Sequence, residues 1–429
     1  MKIIIKAFAS FVLTLAATLG AQAADIVWTN TAGGAFQDPA NWLPNVVPFT
    51  NDTAVFERTE APYTVTWHGN VTNHTHIVRA GTVTFDLQGH TYSLQQTSTN
   101  TLGTSTQTAL LTLTNGTIRR LNPAYVSGAQ NYSIRGSGTT LFVRSHASFL
   151  EIPYYIAMDP TTRIIVDGPG ALYKGIGYSS PIKHATIIVT NGGNFQASAS
   201  LKIGDGCLIH VHGDNTEALF TNNSGGMSPA ASILITGGAT WKDGYWPKLE
   251  NVQTIAGPIT LIDAEWREAY TEPTRGWRKL TGPGALLQGT GDVVLSRLIM
   301  DGGTMRPGLT NGIGELAFTG HITNAAPASV LDMELAGPTA MEVDRISLVA
   351  GSRGSGTLYA GGILNVTPIG DFVPAKVTTF QLIDAVAIVP AFDQVNLPPW
   401  TGTWITNDLY TAGEITYLPP PAGTLLSIR

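Results

Sequence analysis

A short glycine turn that keeps returning between β-branched runs constrains this chain more than any other feature. Asp167-Gly168-Pro169-Gly170, Thr190-Asn191-Gly192-Gly193, Thr236-Gly237-Gly238, Thr281-Gly282-Pro283-Gly284 and Asp301-Gly302-Gly303 each stand between apolar stretches. Their last glycines lie 23, 45, 46 and 19 residues apart, so the long gaps are close to twice the short ones. A unit of about 22 residues exceeds a hairpin and suits one coil of a solenoid, in which short strands alternate with tight turns. One coil cannot bury its own inward row of Val, Ile and Leu. Stacking the next coil about 4.8 Å above pairs every strand edge and continues the apolar column. Glycine recurs because stacked turns leave little room for a Cβ and often need a positive φ. A β-sandwich, with strands every roughly 8–12 residues, is the competing reading. The marker spacing and the scarcity of Asn-Gly hairpin turns favour an all-β, right-handed parallel β-helix (β-solenoid) with capped ends.

Local composition agrees. Tyr63-Thr64-Val65-Thr66-Trp67, Thr82-Val83-Thr84-Phe85, Ile187-Ile188-Val189, Ile233-Leu234-Ile235 and Val293-Val294-Leu295 are strand-like runs bounded by Gly, Asn and Asp. The nearest thing to an amphipathic helix is Leu261 to Tyr270, and it is short. Apolar residues make up 43% of the 429, too many for a disordered chain, and charged residues only 13%, too few for a long helical array. A net charge of −6 gives no footprint for nucleic acid. Outward Thr and Asn ladders account for solubility with so little charge. Cys207 is the only cysteine, so no internal disulfide and no thiolate cage for zinc can form. His210 lies three residues on, on the opposite face of a regular strand, which makes Cys207 a buried, inert thiol rather than half of a thiol–imidazole pair.

Residues 1–23 read as a signal peptide: Lys2 and Lys6, an apolar run from Ala7 to Leu19, and Ala21-Gln22-Ala23 as the cleavage site. No later stretch has the length of a membrane helix, so the expectation is a secreted, extracellular protein with no membrane span.

The mature start runs Trp28-Thr29-Asn30-Thr31-Ala32-Gly33-Gly34-Ala35-Phe36-Gln37-Asp38-Pro39-Ala40-Asn41-Trp42 and continues through Pro44, Val46-Val47-Pro48 and Asp52-Thr53-Ala54-Val55-Phe56. Near the other end stand Asp301-Gly302-Gly303-Thr304-Met305-Arg306-Pro307-Gly308, Ile313-Gly314-Glu315-Leu316, Gly362-Ile363-Leu364-Asn365-Val366 and Thr379-Phe380-Gln381-Leu382-Ile383-Asp384-Ala385. Both stretches resemble bacterial secreted proteins built from autotransporter-associated β-strand repeats. The resemblance implies an extracellular passenger-type parallel β-helix with no catalytic signature of its own. The chain departs from it by ending Ser427-Ile428-Arg429, without translocator strands or a sorting tail, which favours release or non-covalent surface association. It divides as signal peptide 1–23, aromatic capping segment 24–60, parallel β-helix 61–300, and a β-strand-repeat region with a Pro-rich end, 301–429. Trp28, Phe36 and Trp42 are expected to cover the open end of the first coil, a sugar platform being the competing reading. Leu397-Pro398-Pro399 and Pro419-Pro420-Pro421 are expected to end the stack, since proline cannot donate a ladder hydrogen bond.

Three constellations are candidate sites. His74-Thr75-His76 and His210-Val211-His212 would each set two imidazoles on one face of a strand. Neither has a third ligand at a fixed local spacing, so both are read as exposed strand histidines and no metal is assigned. The third is the Trp- and charge-rich stretch 241–279, read as an insertion or widened coil. Its ligand-binding candidates are Trp241, Tyr245, Trp246, Trp266, Arg267, Tyr270, Arg275, Trp277 and Arg278. Aromatic faces stack on apolar sugar faces, and ionic groups bond hydroxyls or uronate carboxylates. A self-packed loop with internal cation–π and ion pairs is the bland alternative. Asp263, Glu265, Arg267 and Lys279 can be cast as the machinery of a β-helical polysaccharide lyase or glycoside hydrolase, yet nothing in their spacing is diagnostic, and no catalytic residue or cofactor is assigned. The reading is an exported structural or adhesive module whose partner is a polysaccharide or cell-envelope surface. The alternatives are the polysaccharide-active enzyme and a filament subunit stacking end to end.

Overall fold

The computed structural model describes residues 24–95, 100–121, 132–150, 156–175, 181–182, 184–200, 202–222, 226–244, 252–268, 277–351 and 354–421. The expected signal peptide lies outside them. Among the described residues there are only two short 3-10 turns, Pro39–Asn41 and Ala340–Glu342, and no helix long and apolar enough to cross a membrane. The rest is strand and turn.

Three strands make one coil. Arg163–Asp167 is followed by Leu172–Gly175 and Pro181–Ile182, and Thr186–Thr190 then lies parallel on Arg163–Asp167 one coil on. The chain is a parallel β-helix with three faces. The first face carries Asp25–Trp28, Thr53–Phe56, Thr75–Val78, Asn100–Leu102, Tyr132–Ile134 and Ile156–Met158 and later Val252–Ile255 and Trp277–Thr281. The second face runs from Tyr63–Thr66 to Gln394–Asn396, and the third from Val71–Asn73 to Ile383–Ala385.

Alternation dictates what each strand buries. On the second face Ile164, Ile187, Ile209, Ile233, Ile259 and Leu287 occupy one inward column, paired rung to rung, and each is buried. Each contributes about 1.5–3 kcal/mol by leaving water. On the third face Phe149, Tyr173 and Phe195 stack nearly parallel, with centroids 5.6 and 4.8 Å apart. The register steps 23 residues from Ile164 to Ile187 and 22 from Ile187 to Ile209. Among later coils of the second face it ranges from 18 (Leu287 to Met305) to 33 (Leu331 to Leu364).

The glycine markers need one correction. Gly170, Gly193 and Gly238 turn the chain from the second face to the third, whereas Gly284 and Gly303 turn it from the first face to the second. Tight-turn chemistry is common to both corners, so spacing alone merged them. The intervening second-to-third corner is Gly213-Asp214-Asn215-Thr216, without a double glycine. Some corners are single bends inside long strands: Pro258–Glu268, Leu286–Asp301 and Glu315–Asn324 pass from face to face without a loop. Gly289 makes one such bend with φ +112°, where a Cβ would run into the Leu261 carbonyl one coil below. The helix considered over Leu261 to Tyr270 is strand as far as it is described, with alternate residues facing the core on either side of a corner at Ile262-Asp263.

Both ends are covered. Trp42–Leu43 pairs antiparallel with Asp25–Trp28 and so closes the edge of the first face. Trp28, Phe36 and Trp42 are buried, with Trp28 edge-on to Trp42 at 5.1 Å and Trp42 edge-on to Phe36 at 4.9 Å. These rings are a plug, and the sugar-platform reading of them is excluded by their burial. At the other end the last rung, Gln394–Asn396, runs into Leu397-Pro398-Pro399. Thr378–Gln381, Glu414–Leu418 and Thr403–Ile405 form an antiparallel sheet there, and Trp404 Nε1 donates to the Pro398 carbonyl at 3.0 Å. Trp400, Trp404 and Tyr417 pack within 5.1 Å of one another.

Candidate functional site

The candidates from 241–279 separate once the alternation of the strands is known. Trp241 and Trp266 are register partners on the third face and both point inward. They are 1% and 0% exposed and stack at 5.5 Å with a 12° interplanar angle. No ligand outside the coil can reach them, so their assignment to a sugar platform is corrected: they continue the aromatic core column. Arg278 is inward too. It is 1% exposed and donates through Nε to Asp243 Oδ2 at 2.9 Å and through Nη2 to the Asp243 carbonyl at 3.0 Å. Its role is an internal ion pair. Glu268, the rung partner of Asp243, is likewise buried and accepts from Ser296 Oγ at 2.7 Å. Tyr245, Trp246, Tyr270 and Arg275 lie outside the described residues.

Arg267 and Trp277 do face outward, on different sides. Arg267 is on the third face, beside Lys242 on the preceding rung and 3.3 Å from Glu265. Trp277 is on the first face, 43% exposed, and the Arg297 guanidinium lies over its ring at 4.6 Å from the centroid. The catalytic cast is not brought together either. Asp263 sits at the corner between the second and third faces, bonded to Thr290. Glu265 and Arg267 are on the third face, and Lys279 is on the first, paired with Asp301 at 2.7 Å.

What the first face does assemble is a strip. Arg297 follows Trp277 one rung on and also donates to Thr323 Oγ1 at 3.1 Å. His321 follows Arg297, and its ring lies 6.2 Å from that of Tyr359, which is 41% exposed one further rung along. Tyr359 is the rung partner of Thr323, one column over from Trp277, Arg297 and His321. The two exposed aromatic rings are therefore set about three rungs, or ~14 Å, apart along the stack and ~7 Å apart along the strands, with a guanidinium and an imidazole between them. Arg297, His321 and Tyr359 were not singled out in the sequence. The only available signal was alternation, which puts Arg297 outward between buried Ser296 and Leu298.

The two histidine pairs behave differently. His210 and His212 do share the outward side of a strand, with ring centroids 5.9 Å apart. His76, read as exposed, is fully buried. The strand begins at Thr75, after a kink that buries Asn73, so the two-residue alternation does not extend back to His74. His76 Nε2 meets the Tyr132 hydroxyl at 3.0 Å, and burial lowers its pKa to about 3. Cys207 is buried as expected, and burial pushes its thiol up to about 12. Asp344 is buried and accepts from the backbone N–H groups of Gly314 and Glu334; burial nonetheless raises its pKa to about 8. Among the described residues no group of three or more His, Cys, Asp or Glu is placed to hold a metal ion.

No family model matches the chain, and no curated protein matches it. The resemblance of its two ends to β-strand-repeat proteins therefore stays a resemblance. Solved structures similar to the chain include those of TibA and Hap. A TibC-catalysed hyper-glycosylated TibA fragment is 14% identical, with a TM-score of 0.25, over 88% of this chain and 100% of that one. The Haemophilus influenzae Hap adhesin is 10% identical, with a TM-score of 0.27, over 86% of this chain and 59% of that one. Both likenesses are distant. The parallel β-helix stands on the chain's own ladder register.

Proposed function

We propose that this protein is an exported adhesive β-helix that holds a polysaccharide along its first face. The observation that carries the reading is the exposed Trp277 ring with Arg297 laid over it, in line with His321, whose ring meets exposed Tyr359 in the next column. Exposed aromatic rings on neighbouring columns of a rigid ladder suit an extended ligand laid obliquely across the face, because its successive sugar units meet fixed rungs without either partner having to fold. The rings offer apolar surface, and Arg297 offers N–H donors in a fixed fork that favours carboxylate-bearing sugars. Buried Arg278, on the same strand as Trp277, ties this face from inside to Asp243 without touching the ligand.

The test is a glycan array followed by affinity electrophoresis in neutral and uronate-containing polysaccharides. Trp277→Ala and Tyr359→Ala are each expected to weaken retardation at least tenfold with the melting temperature little changed, since both rings are exposed. Arg297→Gln is expected to weaken retardation by uronans more than by neutral glycans. Undiminished retardation in the Trp277→Ala, Tyr359→Ala double variant removes this strip from the function.

A further inference from the structure

The outward side of the second face differs from that of the first. Phe142, Ile165, Ile188, His210 and Leu234 are consecutive rungs of a single outward column. Leu208 and Ile262, in neighbouring columns, are 38% and 36% exposed. Four of the five rungs in that column carry large apolar side chains where a solvated face would carry Thr or Asn. His210 interrupts them, and His212 stands beside it two residues on. The Thr236 hydroxyl lies 2.7 Å from His212 Nδ1 and 3.4 Å from His210 Nε2. That contact steadies both rings and leaves His210 Nδ1 and His212 Nε2 free to bind. A partner on the second nitrogen is how metal-bound imidazoles are usually oriented.

Two imidazoles are half of a tetrahedral set, and a two-fold axis lying against this face would supply the other half. We propose that the second face is an interface between two copies of this chain, closed by one divalent transition-metal ion on His210 and His212 of each. Apolar column meets apolar column around the ion, as an isologous contact requires. The size of the patch says why the ion matters. Six strands at ~4.8 Å spacing and about 14 Å of strand length give roughly 400 Å² per copy. Both sides together make ~800 Å², below the ~1,200 Å² at which specific interfaces become stable. The apolar face alone is too small to hold the pair, and the ion completes it.

The experiment is sedimentation velocity of the purified protein with EDTA or with graded zinc chloride, and bound zinc counted by a chromophoric chelator. The expected result is a single-chain mass in EDTA and a doubled mass in zinc, with one zinc per two chains. His210→Ala, His212→Ala and the double variant are expected to stay single-chained at every zinc level, with unchanged circular dichroism because neither ring is part of the core. Leu234→Lys keeps both histidines and is expected to weaken pairing at least tenfold. The proposal is overturned by a mass that stays single in excess zinc, by one zinc per chain without doubling, or by a doubled mass that survives the double histidine variant. Polysaccharide retardation by the first face is independent of all these outcomes.

Discussion

His76 is neutral wherever the fold is intact, because its ring is packed among Phe85, Tyr92 and Tyr132 and burial lowers its pKa from 6.5 to about 3. Between those two values the unfolded chain binds a proton that the folded chain does not. Stability from this site is therefore complete above pH 6.5 and is lost as the pH falls toward 3, at up to ~1.4 kcal/mol per pH unit. His76→Gln keeps a partner for the Tyr132 hydroxyl but cannot titrate. Denaturant melts between pH 3 and 6.5 are expected to show a slope smaller by one proton in this variant. Asp344 acts oppositely. Its pKa is raised from 3.8 to about 8, so the folded chain holds the extra proton in that window and stability declines as the pH rises through it. The Arg278–Asp243 pair supplies a second prediction. Arg278→Met takes the cation from a buried carboxylate, which costs about 3–5 kcal/mol, and Asp243→Leu added to it is expected to recover part of that loss in denaturant melts. An unchanged midpoint in Arg278→Met would show the pair to be dispensable.

Strand identity was legible wherever a β-branched run stands between turn residues: Ile187-Ile188-Val189 reads as a strand and lies in one, Thr186–Thr190. What could not be read was the phase of the alternation, because a run such as Trp241-Lys242-Asp243 looks the same whichever residue points inward. That phase is fixed by the rungs above and below, Ala218 before Trp241 and Trp266 after it. Composition alone therefore gathered Trp241, Trp266 and Arg278 into a surface site, when each is a core residue on an inward register. Trp277 was named as a candidate and is exposed, while Arg297, His321 and Tyr359, its neighbours from three other rungs, were not named because 82 residues separate Trp277 from Tyr359. The aromatic column makes a testable element: Phe195→Ala removes the ring between Tyr173 and Phe220. It is expected to cost about 3–5 kcal/mol in a denaturant melt, because rungs above and below are fixed by their own ladders and cannot collapse into the gap. A loss under 1 kcal/mol would mean that the stack relaxes freely.

A stack of coils is stable only as long as its two open ends are not available to other chains. Trp42 closes the first of them, lying against Trp28, Phe36 and Phe56 and donating to the Phe36 carbonyl. Trp42→Ala is expected to loosen the antiparallel Trp42–Leu43 strand and bare the edge of Asp25–Trp28, so light scattering should rise with concentration while the intact protein stays constant. With one cysteine, no bridge staples any rung to the next, and neighbouring coils are joined only by their ladders and shared side-chain columns. That connectivity governs how the molecule yields to tension. A tether pulling on the chain ends loads the outermost rung alone, and each rung that peels away pays out a further ~8 nm of slack for a 23-residue turn. A stack built this way dissipates force in steps, and the rungs still in place keep their packing.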